Sequence, residues 1–205
     1  MPKELNFSAL HHYLTFGYIP APLSIFKNIH KVLPGHLLIY ENQTIHSKKY
    51  WDIQNNDNSF DDFENQQEIE RKLIELIEES IELHMISDVP VGAFLSGGLD
   101  SGSIVALASR LSRKPIKTFS IGFEDNRYNE AEHAKSVANY LGTDHHDMYV
   151  TSKDALNVLP LLPDIFDEPF ADSSQIPMYL LSKIAKSKVK VCLSGDGGDE
   201  LFGGY

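Results

Sequence analysis

The chain has 205 residues, of which 42% are hydrophobic, so it can bury the core of one α/β domain or of a domain with part of a second. Its net charge of −11 argues against a nucleic-acid partner, because such binding depends on Lys and Arg side chains that neutralise phosphates. No apolar run is long enough to span a membrane and the first residues lack a signal-peptide pattern, so we expect a cytoplasmic protein with no membrane partner.

The single cysteine, Cys192, lies in the apolar run VKVCL. One thiol excludes both a disulfide framework and a zinc site built from several cysteines. We interpret Cys192 as a buried structural thiol in preference to a reactive one.

A polar passage rich in Asn and Asp, residues 52–65, is typical of a linker and predicts a division into residues 1–55 and 56–205. Before it, two short runs that favour strands, residues 37–40 and 44–50, flank a turn at 41–43 and predict a β-hairpin. About fifty residues are too few to bury a secure core alone.

After the linker, apolar residues recur at helical spacing opposite acidic ones over residues 62–85, which predicts an amphipathic helix that we interpret as scaffold. Strands and helices then alternate. The predicted elements are strand 91–95, helix 101–111, strand 116–122, helix 129–141 closed by Gly142, strand 145–150, a helical stretch near 154–165, a helix from Ile176 and strand 189–193. This alternation predicts an α/β fold with a parallel sheet covered by helices on both faces, whose ligands bind beyond the carboxyl ends of the strands.

The motif SGGLDS joins a predicted strand to a predicted helix. Unpaired N–H groups at a helix N-terminus favour an anion, and Gly97 and Gly98 let the main chain approach a phosphate closely. Ser96 and Ser101 can donate hydroxyl hydrogen bonds. Asp100 fits beside an anion if it binds Mg²⁺, which takes carboxylate and phosphate oxygens as ligands.

Other phosphate-binding and catalytic motifs are absent from the sequence. It has no Gly-Lys dipeptide, and therefore no Walker A loop, and neither a G-x-G-x-x-G nor a G-x-S-x-G pattern. The motif SGGLDS is instead typical of the pyrophosphate loop of ATP pyrophosphatases, in preference to a chance Gly/Ser turn.

A second loop, SGDGGDELFGGY, follows the last predicted strand and carries Asp196, Asp199 and Glu200. If Asp100 and Asp199 approach to ~4 Å, their repulsion is about 4 kcal/mol at an effective dielectric constant of ~20, a large cost unless a cation lies between them. We interpret the loop as a second part of a metal and triphosphate site, in preference to a flexible acidic tail.

These two loops resemble those of the synthetase domain of glutamine-dependent asparagine synthetases, which are relatives of β-lactam synthetase. The resemblance extends to LTFGYIPAPLSIFKNIHKVLPGHLLIY, SDVPVGAFLSGGLDSGSIVALA and DEPFADSSQIPMYLLS, and so covers nearly the whole chain. It implies that residues 56–205 form a truncated ATP-pyrophosphatase domain with an adenine nucleotide alpha-hydrolase-like fold. Residues 1–55 would be the C-terminal hairpin remnant of an Ntn-type glutaminase domain, with the linker.

The resemblance implies an ATP-dependent ligase of asparagine biosynthesis with ATP and Mg²⁺ at its site. An aspartate side-chain carboxylate would form β-aspartyl-AMP with release of pyrophosphate, and ammonia derived from glutamine would displace AMP. Residue by residue, the resemblance places Leu95 and Ile121 at the adenosine, with Ser194 and Gly195 beside it. It places at the pyrophosphate Ser96, Gly97, Gly98 and Ser101. It implies that Asp100 and Asp199 bind Mg²⁺ and that Asp196 takes part in formation of the intermediate.

The chain also departs from the family pattern. Pro2 follows Met1 where the family has its cysteine nucleophile, and the glutaminase body is missing. The family continues past the position of Tyr205, so we expect the isolated chain to be inactive. The stretch EPFADSS lacks an arginine that many members carry, which leaves the identity of the acceptor carboxylate open. For the full-length protein, a homodimer is one assembly that the resemblance allows.

Two alternatives for the function stay open from the sequence. One is a related amide-forming enzyme, such as a β-lactam synthetase or a sugar-carboxylate amidotransferase. The other is a nucleotide-binding module without catalysis.

Several residues have competing interpretations. His145 and His146 in DHHD are predicted to point to opposite faces of a strand, which disfavours a metal site. The acids Asp167, Glu168 and Asp172 fit either helix caps or an acceptor pocket. The pair Tyr50 and Trp51 is interpreted as interdomain packing rather than as a ligand platform.

Overall fold

A computed structural model describes residues 3–53, 65–123 and 129–204. The described residues form two compact units. The first contains residues up to 53 together with 160–173, and the second contains the rest. The predicted identity of residues 1–55 and 56–205 as two domains stays a prediction. Among the described helices, none combines the length and apolar character needed to span a bilayer.

The first unit begins with α1 (Phe7–Phe16), which the sequence analysis did not predict. The Asn6 side chain caps it by accepting hydrogen bonds from the N–H groups of Ser8 and Ala9. Gly17 ends it in the left-handed conformation, with φ of +78°. Ala9 is the buried residue of α1 and packs in a small core with Ile19 and Ile25.

A β-hairpin of β1 (His36–Glu41) and β2 (Thr44–Lys49) confirms the predicted hairpin to within a residue or two. Its turn residues, Asn42 and Gln43, both have positive φ, as a two-residue turn of type I′ requires. Almost every side chain of the hairpin is exposed. The hairpin therefore adds little to the core of this unit.

The elements after the hairpin are, in chain order, α2 (Gln66–Met85), β3 (Val91–Phe94), α3 (Leu99–Leu111), β4 (Lys117–Phe123), α4 (Ala131–Leu141), β5 (Asp144–Val150), α5 (Ser152–Val158), a 3₁₀ turn (Leu159–Leu161), α6 (Leu162–Ile165), α7 (Gln175–Lys186), β6 (Val191–Leu193) and α8 (Gly198–Phe202). Each predicted element is present with shifted ends, and α8 was not predicted. Residues 62–64 of the predicted first helix lie outside the described residues. The helix after SGGLDS begins two residues earlier than predicted, because Gly98 is its N-cap.

The four strands of the second unit are parallel and lie in the order β5-β4-β3-β6. The chain adds β4 and β5 on one side of β3 and then places β6 on the other side. The order therefore reverses between β3 and β6, and the carboxyl edge beside such a reversal is where open α/β sheets bind ligands.

Helices cover both faces of this sheet. On one face, Ile81 of α2, Val105 of α3 and Ala138 of α4 pack in a core with Leu95. On the other face, α7 packs against β4, where Phe119 is fully buried. The predicted α/β fold, with a parallel sheet between two helical layers, is confirmed.

Candidate active site

Two loops lie at the carboxyl ends of β3 and β6, the adjacent strands at the reversal of the sheet. The first, residues 95–98, leads into α3, and the second, residues 194–197, leads into α8. The sheet therefore brings together two sequence motifs about one hundred residues apart, as the sequence predicted.

The first loop is closed by its own hydrogen bonds. The Ser96 and Ser101 hydroxyl oxygens lie 2.9 Å apart, and the main-chain N–H of Ser96 donates to the Ser101 hydroxyl. The N–H of Gly98 donates to the Ser96 hydroxyl oxygen. Ser101 is buried, whereas Ser96 and Gly98 are exposed. The two serines thus shape the loop, and its exposed side presents Ser96 and the N-terminus of α3.

Gly97 allows the first loop to pack closely against α4. Its φ of +87° lies in the left-handed region, and an added Cβ would lie 2.8 Å from the Cβ of His133 and 2.9 Å from the main-chain nitrogen of Ala134. Both the backbone conformation and the space therefore require glycine at this position.

Glycines of the second loop lie directly against the first turn of α3. A Cβ on Gly195 would lie 2.9 Å from the main-chain nitrogen of Ser101, and a Cβ on Gly198 would lie 2.6 Å from Oδ2 of Asp100. The absence of side chains at these two positions lets the loops meet. Gly197, with φ of +91°, turns the chain between them.

The acids of the two loops have different surroundings. Asp100 is half-buried beside Gly198, the residue that precedes Asp199. Asp196 is exposed, and its Oδ2 accepts a hydrogen bond of 2.9 Å from the Ser194 hydroxyl. The Asp199 carboxylate lies next to Gly204. Within the described residues, no group of three or more His, Cys, Asp or Glu is arranged to hold a metal.

A cavity of about 690 Å³ is lined by α2, the N-terminal part of α3, the second loop and α8. Asp100 and Asp196 contribute polar groups to its wall, and α2 contributes apolar side chains such as Leu73 and Ile77. Its volume is typical of small-molecule sites. The sequence analysis interpreted α2 only as scaffold. The apolar stripe of α2 was visible in the sequence, but nothing there showed that part of it faces a cavity.

The side chains of Leu95 and Ile121, the two predicted adenosine contacts, do not lie together. Leu95 is 1% exposed and lies in the core under α2, α3 and α4, whereas Ile121 packs on the opposite face, towards α7. The Leu95 side chain is therefore not accessible to a ligand.

The histidines of DHHD point to opposite faces, as predicted. His145 lies within hydrogen-bond distance of the hydroxyls of Thr118 and Ser120, whereas His146 stacks on Phe119. Burial lowers the pKa of His145. The pair belongs to the packing of the sheet.

Cys192 is half-buried in β6, and burial raises the pKa of its thiol to about 11. At neutral pH the group is therefore a protonated, weakly nucleophilic thiol, in agreement with the structural role predicted for it.

The remaining candidates lie in the first unit. Glu168 accepts a hydrogen bond from the N–H of Ile25 and forms an ion pair with Lys31, so it caps no helix. Tyr50 and Trp51 donate their N–H groups to the carbonyl of Gly35, and their side chains are largely exposed. The role of this aromatic pair in interdomain packing stays a prediction.

Comparison with known proteins identifies the family of the chain. The model of the asparagine synthase family matches residues 72–205, which include both loops. The chain belongs to the asparagine synthase family. A second model, that of a glutamine amidotransferase domain, matches residues 1–51. The family assignment confirms the predicted relationship to asparagine synthetases.

Individual relatives of the family are similar along nearly the whole chain. A Methanocaldococcus jannaschii protein provisionally named asparagine synthetase 2 is 39% identical over 99% of this chain and 39% of its own length. The glutamine-hydrolysing asparagine synthetase 1 of Bacillus subtilis is 39% identical over 98% of this chain and 31% of its own length. The chain thus spans between 31% and 39% of the length of these relatives. Among solved structures, an NMN synthetase from Francisella tularensis gives a TM-score of 0.46 at 19% identity, over 70% of this chain and 59% of that one.

Proposed function

We propose that the second unit forms an amide by activating a carboxylate with ATP. In the first step a carboxylate oxygen of the acceptor, aspartate in the leading hypothesis, attacks the α-phosphorus, and pyrophosphate leaves. In the second step ammonia attacks the acyl carbon, AMP leaves with the bonding electron pair, and the nitrogen loses a proton. The observation that carries the proposal is the meeting of two glycine-rich loops at the reversal of a parallel sheet, with Asp100 just after the first loop and Asp196 in the second.

The first loop is suited to the departing pyrophosphate. Ser96 and Ser101 already form hydrogen bonds with each other and with the main chain of the loop. The N-terminus of α3, a helix of 13 residues, can therefore bind an anion without rearrangement. Gly97 and Gly98 place no side chain between the main chain and a phosphate. Preorganised donors of this kind favour the charge that develops on a leaving group.

The second loop is suited to the metal and the reacting carboxylate. The oxygen ligands at this edge fit Mg²⁺, which is commonly held by one or two carboxylates with phosphate oxygens and water completing its shell. Asp100 and Asp199 would hold the ion. Gly198 has no side chain that would displace the Asp100 carboxylate. A bound Mg²⁺ neutralises triphosphate charge. The Ser194 hydroxyl orients the Asp196 carboxylate, which is exposed and can take part in the first step.

The source of ammonia, the acceptor and the assembly are parts of this proposal, because the chain spans less than half of its relatives. The relatives are named for hydrolysis of glutamine, and residues 1–51 match an amidotransferase model. We therefore assign glutamine as the ammonia source of the whole protein. Its predicted location is the cytoplasm, and its predicted assembly is a homodimer.

The test is exchange of labelled pyrophosphate into ATP by the full-length protein, measured with Mg²⁺ and a panel of carboxylic acids alongside equilibrium binding of ATP. We expect aspartate-dependent exchange that Asp100→Asn reduces at least tenfold, and no such loss for Asp88→Asn, an exposed acid before β3. Exchange driven by a different acid would favour the related amide-forming enzyme. ATP binding with no exchange would favour a binding module, and absence of both would overturn the proposal.

A further inference from the structure

His133 lies in the first turn of α4, at the carboxyl edge of the sheet. Helix α4 follows β4, and its N-terminus lies close to the end of that strand, since a Cβ on Gly122 would lie 2.9 Å from the Cβ of Ala131. The strands of the sheet are parallel, so their carboxyl ends share one edge. His133 therefore lies on the same edge as the first loop.

His133 also contacts the first loop directly. A Cβ on Gly97 would lie 2.8 Å from the Cβ of His133 and 3.2 Å from its main-chain carbonyl carbon. The next residue of α4, Ala134, is fully buried, whereas His133 is exposed. The side chain of His133 thus starts beside the loop and is accessible to a ligand there.

The imidazole of His133 is unoccupied by other interactions. It forms no hydrogen bond or ion pair with any residue that the structure describes. The other three histidines of the second unit are engaged: His84 Nδ1 lies 2.7 Å from the carbonyl oxygen of Ser80, His145 lies within hydrogen-bond distance of two hydroxyls, and His146 stacks on an aromatic ring. An imidazole N–H can donate to a phosphate oxygen, so His133 is available for an anion.

The two loops contain acids but no basic residue. The motif SGGLDS has one Asp, the motif SGDGGDELFGGY has two Asp and one Glu, and neither has Lys or Arg. Pyrophosphate carries more negative charge than one Mg²⁺ ion neutralises, and hydrogen bonds to a charged acceptor are stronger than those between neutral groups. A donor from the neighbouring helix α4 would therefore favour the anion at an edge where the loops themselves supply carboxylates.

We propose that His133 is a further binding residue for pyrophosphate, and that its imidazole donates a hydrogen bond to a phosphate oxygen held at the first loop. That the first loop binds pyrophosphate rests on the proposed function. The main-chain N–H groups at the start of α3 contact the anion from one helix, and His133 contacts it from the other.

The experiment measures binding of pyrophosphate and of AMP to the full-length protein by isothermal titration in the presence of Mg²⁺. His133→Ala removes the ring but keeps the Cβ that touches Gly97, so the packing of the loop is retained. His133→Gln keeps a hydrogen-bond donor. The matched control is Lys135→Ala, which removes an exposed cation two residues further along α4, because residues two apart on a helix do not face each other.

For His133→Ala we expect the affinity for pyrophosphate to fall about tenfold, equivalent to about 1.4 kcal/mol. The affinity for AMP should be unchanged, because AMP lacks the departing phosphates. His133→Gln should recover most of the loss, and Lys135→Ala should alter neither affinity. Unchanged pyrophosphate affinity in His133→Ala, an equal loss for pyrophosphate and AMP, or an equal loss in Lys135→Ala would overturn the proposal.

Binding requires no turnover, so the result is separate from that of the proposed function. If His133→Ala shows the expected loss but no carboxylate supports exchange of pyrophosphate into ATP, the proposed amide-forming activity fails and the role of His133 stands. If the unmodified protein does not bind pyrophosphate, the role of His133 is wrong whether or not exchange is observed.

Discussion

Two glycines close together in the sequence allow a controlled test of the first loop. Gly97 has φ of +87° and no room for a Cβ, whereas Gly102 is helical and a Cβ there would have nothing within 4 Å. We expect Gly97→Ala to destabilise the protein by about 1–3 kcal/mol and to weaken ATP binding. Gly102→Ala should stabilise it by about 0.5–1 kcal/mol. Urea unfolding and ATP titration measure both effects, and similar values for the two variants would contradict the geometry.

His145 makes a second prediction at the scale of one residue. Burial lowers its pKa in the folded state, so the unfolded chain takes up a proton first as the pH falls below about 6.5. The stability contributed by neutral His145 is therefore present above that pH and is lost as the pH falls to the lowered value. Urea unfolding between pH 5 and pH 8 should show a steeper loss for the unmodified chain than for His145→Gln. Parallel profiles would exclude this residue as the cause.

Single residues were also where sequence reasoning was least complete. The motif SGGLDS placed Ser96, Asp100 and Ser101 together where β3 leads into α3, and their roles in binding stay predictions. The pattern could not show that the two hydroxyls bind each other, or that Leu95 and Ile121 face opposite sides of the sheet. The hydrogen bond between the hydroxyls depends on side-chain rotamers, and the face to which each residue points depends on how the sheet packs against the helices. Packing across the whole sheet sets both.

At the scale of one element, the N-terminus of α5 carries a reciprocal cap. The Thr151 hydroxyl oxygen accepts the N–H of Asp154, and the Asp154 carboxylate accepts the N–H of Thr151. Thr151→Ala should therefore cost about 1 kcal/mol of unfolding free energy, and the neighbouring Ser152→Ala much less. Thermal unfolding of the two variants is the comparison, and equal midpoints would show that the cap contributes nothing.

Elements with strong periodicity were predictable, and short capped ones were not. Helix α2 and the alternation from β3 to β5 follow from apolar spacing alone. Helix α1 was missed because Phe7, Leu14 and Phe16 are exposed, so its apolar residues form no single stripe. Its caps, Asn6 and Gly17, were the available signal. Helix α8 has only five residues and is capped by Gly197 and Gly203, so its sequence is typical of a loop.

At the scale of the whole second unit, the order of the strands decides what the loops can do. Hydrophobic patterning predicts that strands are parallel, but it does not state that β6 returns to the far side of β3. That placement depends on α7 packing on the opposite face from α3 and α4. The predicted meeting of the two loops was correct because the carboxyl ends of all parallel strands share one edge, and the sheet order then made the two loops neighbours.

A double-mutant cycle tests whether those neighbouring loops act as one site. If Asp100 and Asp199 hold the same Mg²⁺, each single change to Asn already removes most of the benefit of the ion. We expect each variant to weaken Mg²⁺-dependent ATP binding by about tenfold, and the double variant to be only slightly weaker than either, since residues that act as a unit are strongly non-additive. Isothermal titration with and without Mg²⁺, with Asp88→Asn as the control acid, measures the coupling. A hundredfold loss in the double variant, the product of two independent effects, would mean that the two carboxylates serve different purposes, and the shared magnesium site would have to be given up even if ATP still binds at this edge of the sheet.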